Sequence, residues 1–185
     1  MGGTFDPIHY GHLLTAEEAR WQFELDEVVF VPTGRPWMKE EREVSDPQHR
    51  YLMAVIATAA NPRFSVSRVE IEREGPTHTI DSLRALHEER GDSELFFITG
   101  ADAILEIDEW KDAAEVLEIA HVIAATRPGY DLSRLEKEKP VSIMKIPALA
   151  ISSTDIRERV REGRPIRYLV PEGVQQYVEK AGLYK

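Results

Sequence analysis

Two patterns of apolar residues alternate along this chain of 185 residues: short unbroken runs and residues at helical spacing. Short runs rich in β-branched and aromatic residues predict buried strands, and these lie at residues 27–32, 94–100, 121–126 and 141–146, with an alternating run at 64–72. Helical spacing and capping pairs such as Asp46-Pro47 predict helices, and these lie at residues 12–23, 47–60, 77–91, 152–163 and 172–184.

Strands that alternate with helices indicate βα units around a mostly parallel sheet. We therefore predict an α/β fold of the Rossmann-like, doubly wound type, with helices on both faces of the sheet. No repeat, low-complexity tract or linker interrupts the pattern, so we expect one domain over residues 1–185, with a helical portion from about residue 152. In such folds ligands bind at the carboxyl ends of the strands, and VPTGRPWMK, TGADA and TRPG stand at such ends in this chain.

The first residues, MGGTFDP, have the glycine and proline content of a loop, although no strand precedes them in the sequence. A glycine loop that binds phosphate normally follows a central strand, because the strand directs the loop and the next helix towards the ligand. We therefore expect that the first central strand is missing from this sequence. We predict an apolar strand of about five or six residues upstream of Met1, flanked by the strands at 27–32 and 94–100. The alternative is a complete chain with a rearranged sheet.

Composition narrows the classes of function. The chain is 42% hydrophobic and 30% charged, as in an ordinary globular protein, and its net charge of −10 argues against a nucleic-acid partner, which needs a basic surface. It has no Cys, so disulfides, thiolate zinc sites and cysteine nucleophiles are excluded. No run of eighteen apolar residues is present, so we expect no membrane partner and a cytoplasmic location.

The usual signatures of several enzyme classes are also absent. The sequence contains no G-x-x-x-x-G-K-[ST], G-x-G-x-x-G, H-E-x-x-H or G-x-S-x-G. These patterns mark P-loop NTPases, dinucleotide oxidoreductases, zinc-dependent proteases and serine hydrolases. The sequence therefore gives no support for those four classes.

The segment HYGH places His9 and His12 three residues apart at the start of the first predicted helix. Such a pair can be a surface pair that caps the helix, or part of a zinc site that takes carboxylates as further ligands. A third interpretation uses the positive end of the helix, where both imidazoles would donate hydrogen bonds to phosphate. Gly2, Gly3 and Thr4 would let the backbone approach the same anion, so the combination favours phosphate binding.

A similar arrangement recurs in ISSTDIR at residues 151–157. Ser152, Ser153 and Thr154 open a predicted helix, and Arg157 lies one turn beyond Ser153 on the same face. Ser and Thr before a helix are ordinary N-caps. Three hydroxyls with an arginine exceed what capping requires, and a guanidinium fork matches a triphosphate or pyrophosphate.

In GADAILEIDEW, Gly100 ends a predicted strand, Asp102 starts a helix and Trp110 follows that helix. Asp102 is either a helix cap or a carboxylate that binds ribose hydroxyls. Trp110 either packs in the core or on the surface, or it stacks on a flat ring. The residues themselves leave both pairs of alternatives open.

Together these motifs resemble the bacterial nicotinate-mononucleotide adenylyltransferase family, part of the larger nucleotidyltransferase group that shares H-x-G-H. The resemblance runs in order from Gly2 to Tyr184 and includes GGTFDPIHYGH, GPTHTIDSL, GADA, TRPG, ISSTDIR and YLVPEGVQQYV. It implies ATP and nicotinate mononucleotide as substrates, and deamido-NAD and pyrophosphate as products. It also implies Mg²⁺, held mainly through the ATP phosphates.

The resemblance implies a role for each matching residue. The ATP phosphates would be held by His9, His12, Ser152, Ser153, Thr154 and Arg157, with His9, His12 and Arg157 in the catalytic roles. Adenosine would lie against Gly100, Asp102 and Ile151, and the ATP site would also include Gly3, Thr4, Phe5 and Arg127. The nicotinate ring would bind Thr79 and Trp110, and the mononucleotide phosphate would lie near Gly3, Thr4 and Lys39.

The sequence departs from the family pattern at two places. The family loop often reads P-P-H-K, whereas this chain has Pro36-Trp37-Met38-Lys39, so a thioether replaces an imidazole. In GPTHT, His78 stands where a tyrosine is common. The first departure puts part of the contact with the mononucleotide phosphate in question.

Two other functions stay open as alternatives. Another H-x-G-H transferase would act on nicotinamide mononucleotide, on phosphopantetheine or in CDP-alcohol synthesis. A nucleotide-binding module would bind without catalysis. The presence of His9, His12 and Arg157 together favours an enzyme over such a module.

Overall fold

The structure, a computed structural model, describes residues 1–34, 44–75, 77–126, 140–147 and 150–185, with the backbone alone for Asp102. The described strands are β1 Gly2–Gly3, β2 Val28–Pro32, β3 Phe64–Val66, β4 Leu95–Gly100, β5 Ala120–Thr126 and β6 Val141–Lys145. The described α-helices are α1 Tyr10–Gln22, α2 Pro47–Thr58, α3 Thr79–Arg90, α4 Ala101–Ile104, α5 Ala113–Ile119, α6 Ser153–Arg161 and α7 Glu172–Ala181. A 3₁₀ turn at Ile107–Glu109 separates α4 from α5.

All described strand pairs are parallel, and they form sheets with the orders β1-β2-β3 and β4-β5-β6. β1 pairs with β2 through Gly2 opposite Val31 and Gly3 opposite Pro32. β1 also contacts β4, and a Cβ built on Gly2 would be 3.5 Å from Phe97 Cε2. The first residues thus lie between the two strands expected to flank a first strand. The predicted strand upstream of Met1 lies outside this sequence and stays a prediction.

Alternate side chains of β5 pack into different cores. Ile123 and Ala125 belong to one cluster of buried apolar residues, and Val122 and Ala124 belong to the other. Successive side chains of a strand point to opposite faces of a sheet, so the two clusters lie on opposite faces. The first cluster includes residues of α1, α2, α6 and α7, and the second includes residues of α3, α4 and α5. Helices therefore cover both faces, which confirms the predicted doubly wound α/β fold.

The strand predicted at 64–72 is wrong beyond Val66. Ser67 Oγ accepts a hydrogen bond from Val69 N–H at 3.2 Å, and Arg68 O accepts one from Glu72 N–H at 3.0 Å. These local bonds turn the chain and replace strand pairing. The turn leaves Glu70 only 8% exposed.

Sequence analysis also missed α5, a short helix that begins after Asp112. Asp112 has a φ of 51°, in the left-handed region, so it breaks the helical pattern between the 3₁₀ turn and α5. The cap predicted at Asp46 is confirmed, since its side chain accepts from Gln48 N–H at 2.8 Å and Pro47 is the first helical residue. The assignment of residues 1–185 to one domain stays a prediction.

Across the described segments, the helices are all too short or too polar to cross a membrane.

Candidate active site

His9 and His12 stand at the start of α1, where His9 is the N-cap residue and His12 lies in the first turn. Their rings stack, with 3.7 Å between centroids and 23° between planes. The backbone N–H of His9 donates to Nδ1 of His12 at 3.2 Å. The spacing in HYGH thus brings both imidazoles to the N-terminal end of α1, as predicted.

The hydrogen bond from His9 fixes the tautomer of His12. Because Nδ1 accepts, the neutral ring carries its proton on Nε2. Burial, and to a lesser degree the neighbouring His9, lowers the pKa of His12 well below its usual value. At neutral pH His12 is therefore an uncharged ring with one N–H donor at Nε2.

Gly11 lies against the His9 ring and beside the ISSTDIR segment. A Cβ built on Gly11 would lie 3.0 Å from the His9 ring and 3.9 Å from Ile151 O. A methyl group at this position would require the imidazole ring to move. The glycine of H-x-G-H thus has a steric reason, and Ile151 lies beside the motif.

The start of α6 is bound to the loop that precedes α1. Ser153 Oγ donates to Pro7 O at 2.9 Å, and Arg157 Nη1 donates to Asp6 O at 2.8 Å. Ser153 and Pro7 are 146 positions apart in the sequence. The structure therefore brings HYGH and ISSTDIR to one place, as their shared phosphate interpretation requires.

The hydroxyls and the guanidinium of ISSTDIR are only partly occupied by local contacts. Ser152 caps α6 by accepting from Asp155 N–H at 3.1 Å, which confirms the ordinary N-cap interpretation for that residue. Thr154 is exposed, and its Oγ1 accepts from Arg157 Nη2 at 3.4 Å. Arg157 Nε is buried and has no hydrogen-bond partner among the described residues. Such an N–H costs free energy, and a bound anion at this point would offset that cost.

The backbone of the glycine loop packs against the ring of Phe5. Phe5 has a φ of 52° and is 2% exposed, and its ring meets the His12 ring edge to face at 5.1 Å. A Cβ built on Gly3 would lie 2.8 Å from Phe5 Cε1, so a side chain at Gly3 would displace that ring. Phe5 therefore supports the loop and His12 from inside the core.

A cavity of about 810 Å³ opens beside this loop and extends along β2 and β4 as far as the amino ends of these strands, at Val28 and Leu95. Its lining includes Gly3, Thr4, Thr79 and Trp110, the four described residues that the resemblance assigned to the mononucleotide. Trp110 is partly exposed and meets Phe97 edge to face, with 5.8 Å between ring centroids. Trp110 therefore has both a packing partner and an open side, so neither of its two interpretations is excluded.

The remaining predicted site residues are placed in part. Gly100 ends β4 and is the N-cap residue of α4, and Asp102 is the second residue of that helix, as predicted for its backbone. Lys39 and Arg127 lie outside the described residues, as does the Trp37-Met38 pair. Their roles stay predictions.

Comparison with known proteins is consistent with this geometry. A family model described as cytidylyltransferase-like matches residues 1–159. A probable nicotinate-nucleotide adenylyltransferase of Leifsonia xyli subsp. xyli is 61% identical over 186 residues, which cover 100% of this chain and 92% of the relative. Another, from Tropheryma whipplei, is 58% identical over 185 residues, which cover 100% of this chain and 98% of the relative. The chain belongs to the nicotinate-nucleotide adenylyltransferase family.

Solved structures share the fold of this adenylyltransferase family member. The nicotinic acid mononucleotide adenylyltransferase of Plasmodium falciparum complexed with NaAD superposes with a TM-score of 0.83 at 23% identity, over 99% of this chain and 94% of that one. The same protein complexed with APC gives a TM-score of 0.81 at 22% identity, with the same coverage. At these identities the similarity concerns the fold.

Sequence reasoning missed three polar residues that are buried beneath this candidate site. Asp6, Arg50 and Glu70 are 2%, 1% and 8% exposed. The available signal was strongest for Arg50, which stands at helical spacing with the buried Met53 and Ala54 in α2. A charged residue on the apolar face of a helix is rarely buried without bonded partners.

The carboxylate of Asp6 is bound from two distant parts of the chain. Tyr184 donates its hydroxyl to Asp6 Oδ1 at 2.6 Å, and Ser45 N–H donates to Asp6 Oδ2 at 3.1 Å. Burial, followed by the nearby charge of Asp6, raises the pKa of Tyr184. The phenol therefore stays protonated and holds the loop before α1.

Tyr184→Phe should lower the free energy of unfolding by about 1–3 kcal/mol, because it leaves a buried carboxylate oxygen without its donor. Urea unfolding measures this change. Tyr168→Phe is the matched control, since Tyr168 is 82% exposed and should lose almost nothing. Equal stability of the two variants would contradict the role given to the Tyr184 hydroxyl.

The free energy of unfolding should decrease as the pH is lowered, because His12 titrates differently in the folded and unfolded states. Its pKa is lowered in the folded state, so above about pH 6.5 the ring is neutral in both states. Below that pH the unfolded chain takes up a proton that the folded chain does not. The free energy of unfolding should therefore fall by about 1 kcal/mol between pH 7 and 5.5.

His12→Asn is the control for this pH effect, because Asn offers an oxygen near the position of Nδ1 and does not titrate. Urea unfolding at both pH values should show a smaller loss for this variant than for the parent protein. The same pH dependence in both proteins would rule out a lowered pKa at His12.

Proposed function

We propose that this chain transfers the AMP group of ATP to nicotinate mononucleotide, giving deamido-NAD and pyrophosphate in NAD biosynthesis. The observation that carries the proposal is the meeting of HYGH and ISSTDIR through the Ser153–Pro7 and Arg157–Asp6 hydrogen bonds. Two helix starts, two imidazoles and a guanidinium then lie together, which favours a polyanion. We also propose a cytoplasmic location, in line with the absence of Cys from the sequence.

We assign the ATP phosphates to the two helix starts. His12, neutral and protonated at Nε2, would donate to the α-phosphate, and His9 and Arg157 would bind the β- and γ-phosphates. The unpartnered Nε of Arg157 supports this assignment, because a phosphate oxygen would satisfy it. Further ATP contacts are proposed for Phe5, Gly100, Asp102, Arg127, Ile151, Ser152, Ser153 and Thr154.

We assign the acceptor to the end of this cavity that lies beside the glycine loop. Thr79 is the first residue of α3, and it lines this cavity together with Trp110. A partly exposed indole at this position suits stacking on the nicotinate ring. Gly3 and Thr4 line the same cavity next to the histidine motif, so they would lie at the acceptor phosphate, with Lys39 as a further proposed contact.

The reaction needs no base in this arrangement. A phosphate oxygen of the mononucleotide, already an anion, forms a bond to the α-phosphorus, and the bond from that phosphorus to the pyrophosphate oxygen breaks. Catalysis then consists of aligning the two reactants and stabilising negative charge on the α-phosphate and the leaving group. The Nε2–H of His12 would stabilise the charge on the α-phosphate, and Arg157 would stabilise the charge on the leaving group.

Mg²⁺ is part of the proposal as a partner of the triphosphate. In the described part of the chain, His, Asp and Glu side chains do not come together in groups of three that would hold a metal. A site without such a group fits an ion bound mainly by phosphate oxygens and water, as Mg²⁺ prefers. When bound there, the ion would neutralise charge on the leaving pyrophosphate, while His9 and Arg157 orient the same phosphates.

The proposed function is tested by pyrophosphate release with ATP and a panel of acceptors. The panel contains nicotinate mononucleotide, nicotinamide mononucleotide, phosphopantetheine and a phospho-alcohol. We expect the highest kcat/KM with nicotinate mononucleotide, and chromatography should identify deamido-NAD as the product. Turnover with phosphopantetheine alone, or with none of the four, would overturn the proposal.

His12→Ala should lower kcat by roughly 10²–10³-fold, the usual cost of losing one donor to the transition state, with small changes in either KM. Steady-state kinetics at saturating ATP measure the effect. His87→Ala is the control, since His87 is exposed in the last turn of α3 and should keep full activity. A His12→Ala enzyme with near-normal kcat would remove His12 from the mechanism.

Trp110→Ala should raise KM for nicotinate mononucleotide at least about fivefold, since an aromatic stack contributes on the order of 1 kcal/mol beyond its area. KM for ATP should stay nearly unchanged. Trp21→Ala is the matched control, because Trp21 is 72% exposed on α1. If ATP affinity collapses instead, Trp110 belongs to the adenosine site or to the core.

A further inference from the structure

Arg50 is a buried charge that the proposed reaction does not use directly. It lies in the first turn of α2 and is 1% exposed. Its guanidinium donates three hydrogen bonds of 2.9 Å each, to the carbonyl oxygens of Thr4, Gly34 and Ser45. Each of these acceptors is backbone, so Arg50 fixes the course of the chain.

The three carbonyls belong to three different segments. Thr4 follows β1 in the glycine loop, Gly34 follows β2, and Ser45 precedes α2. β1 and β2 are adjacent parallel strands, so Thr4 and Gly34 stand at the same edge of the sheet. One side chain therefore joins the loops that follow β1 and β2 to the start of α2.

Gly34 is also held from the opposite side. Its N–H donates to Glu70 Oε2 at 3.3 Å, while Glu70 Oε1 accepts from Ser82 Oγ of α3 at 2.7 Å. A Cβ on Gly34 would lie 2.2 Å from Glu70 O, so the approach needs glycine. Hydrogen bonds thus run without interruption from Arg50 through Gly34 and Glu70 to α3, the helix that starts with Thr79.

These contacts lie directly beneath the acceptor cavity. Thr4, Glu70, Thr79 and Ser82 all line that cavity, whereas Arg50 does not. Burial lowers the pKa of Arg50, and the charges of Asp6 and Glu70 are among those that oppose this effect, so the guanidinium stays charged. A buried guanidinium is costly unless its donors are paired, and here its three nitrogens are all used on loop carbonyls.

We propose that Arg50 is a positioning residue for the acceptor, and this rests on the proposed function. Its guanidinium fixes the Thr4 loop against Gly34 and Ser45, and so sets the place of the acceptor phosphate relative to the α-phosphate of ATP. The ATP phosphates are assigned to α1 and α6, which Arg50 reaches only indirectly, through Ser45 and its N–H bond to Asp6. Loss of Arg50 should therefore affect the acceptor much more than ATP.

The three hydrogen bonds of this clamp, from Arg50 to the carbonyl oxygens of Thr4, Gly34 and Ser45, require arginine. A guanidinium is planar and sends donors in three directions, whereas an ammonium group is a compact point charge on a flexible stem. Lysine at this position would keep the charge but would not reach all three carbonyls at once. Methionine would fill much of the volume and would keep none of the hydrogen bonds.

The test compares R50K and R50M with V174A. Val174 lies on α7, is 0% exposed and has no hydrogen bond to these loops. Each protein is assayed well below its own melting temperature. Calorimetry measures ATP binding without acceptor, and pyrophosphate release measures kcat and KM for nicotinate mononucleotide. We expect R50M to lose at least about tenfold in acceptor kcat/KM, R50K to lose less, and ATP affinity to stay within about threefold.

A purely structural role for Arg50 predicts a different result. V174A should lose thermal stability yet keep normal acceptor kinetics, because it weakens the core without moving the loops. Normal acceptor kinetics in R50K and R50M, or equal losses in ATP and acceptor binding, would overturn the proposal. If R50M does not fold, R50K alone decides by the same criterion. Absence of turnover by the parent protein would reject the proposed function and this proposal with it.

Discussion

The hydrogen bonds that converge on Asp6 and Pro7 are the constraint on which the site depends. The carbonyl groups of this short loop bind Arg157 and Ser153, and the Asp6 carboxylate binds Tyr184 and the backbone of Ser45. Each buried polar group of the loop would cost roughly 1–3 kcal/mol if it lost its partner. Because these partners come from distant parts of the chain, the loop before α1 has one arrangement only when the whole fold is formed.

Two helix starts meet at this loop, and their arrangement is unfavourable without a ligand. The N-termini of α1 and α6 both carry a partial positive charge, and Arg157 adds a full one. The buried Nε of Arg157 adds the cost of an unpartnered donor among the described residues. The fold meets these costs through the contacts that hold the loop. A bound polyanion would offset these costs, which supports the proposed triphosphate site.

His12 contributes a donor without adding charge. Burial and the contact with His9 keep His12 neutral, and its Nδ1 bond with the His9 backbone leaves the proton on Nε2. A neutral donor adds no repulsion to the positive helix ends and to Arg157. Since the proposed nucleophile is already an anion, the imidazole has only to donate. Rigidity of the loop and ring stack therefore matters more than proton transfer, which is also why a clamp such as Arg50 has a place in the reaction.

The sequence by itself determined the local features of this protein. The three-residue spacing of His9 and His12 places both rings at one helix end, and the hydroxyl of Ser152 supplies an N-cap, since both depend on neighbours within one helical turn. The alternation of apolar runs and helical spacing likewise determined the doubly wound fold. Only the tertiary structure decided that HYGH and ISSTDIR meet, that Arg50 clamps three loops, and that the chain turns after Val66 to bury Glu70. These contacts join residues far apart in sequence, and their partners exist only once the sheet has brought its loops to one edge.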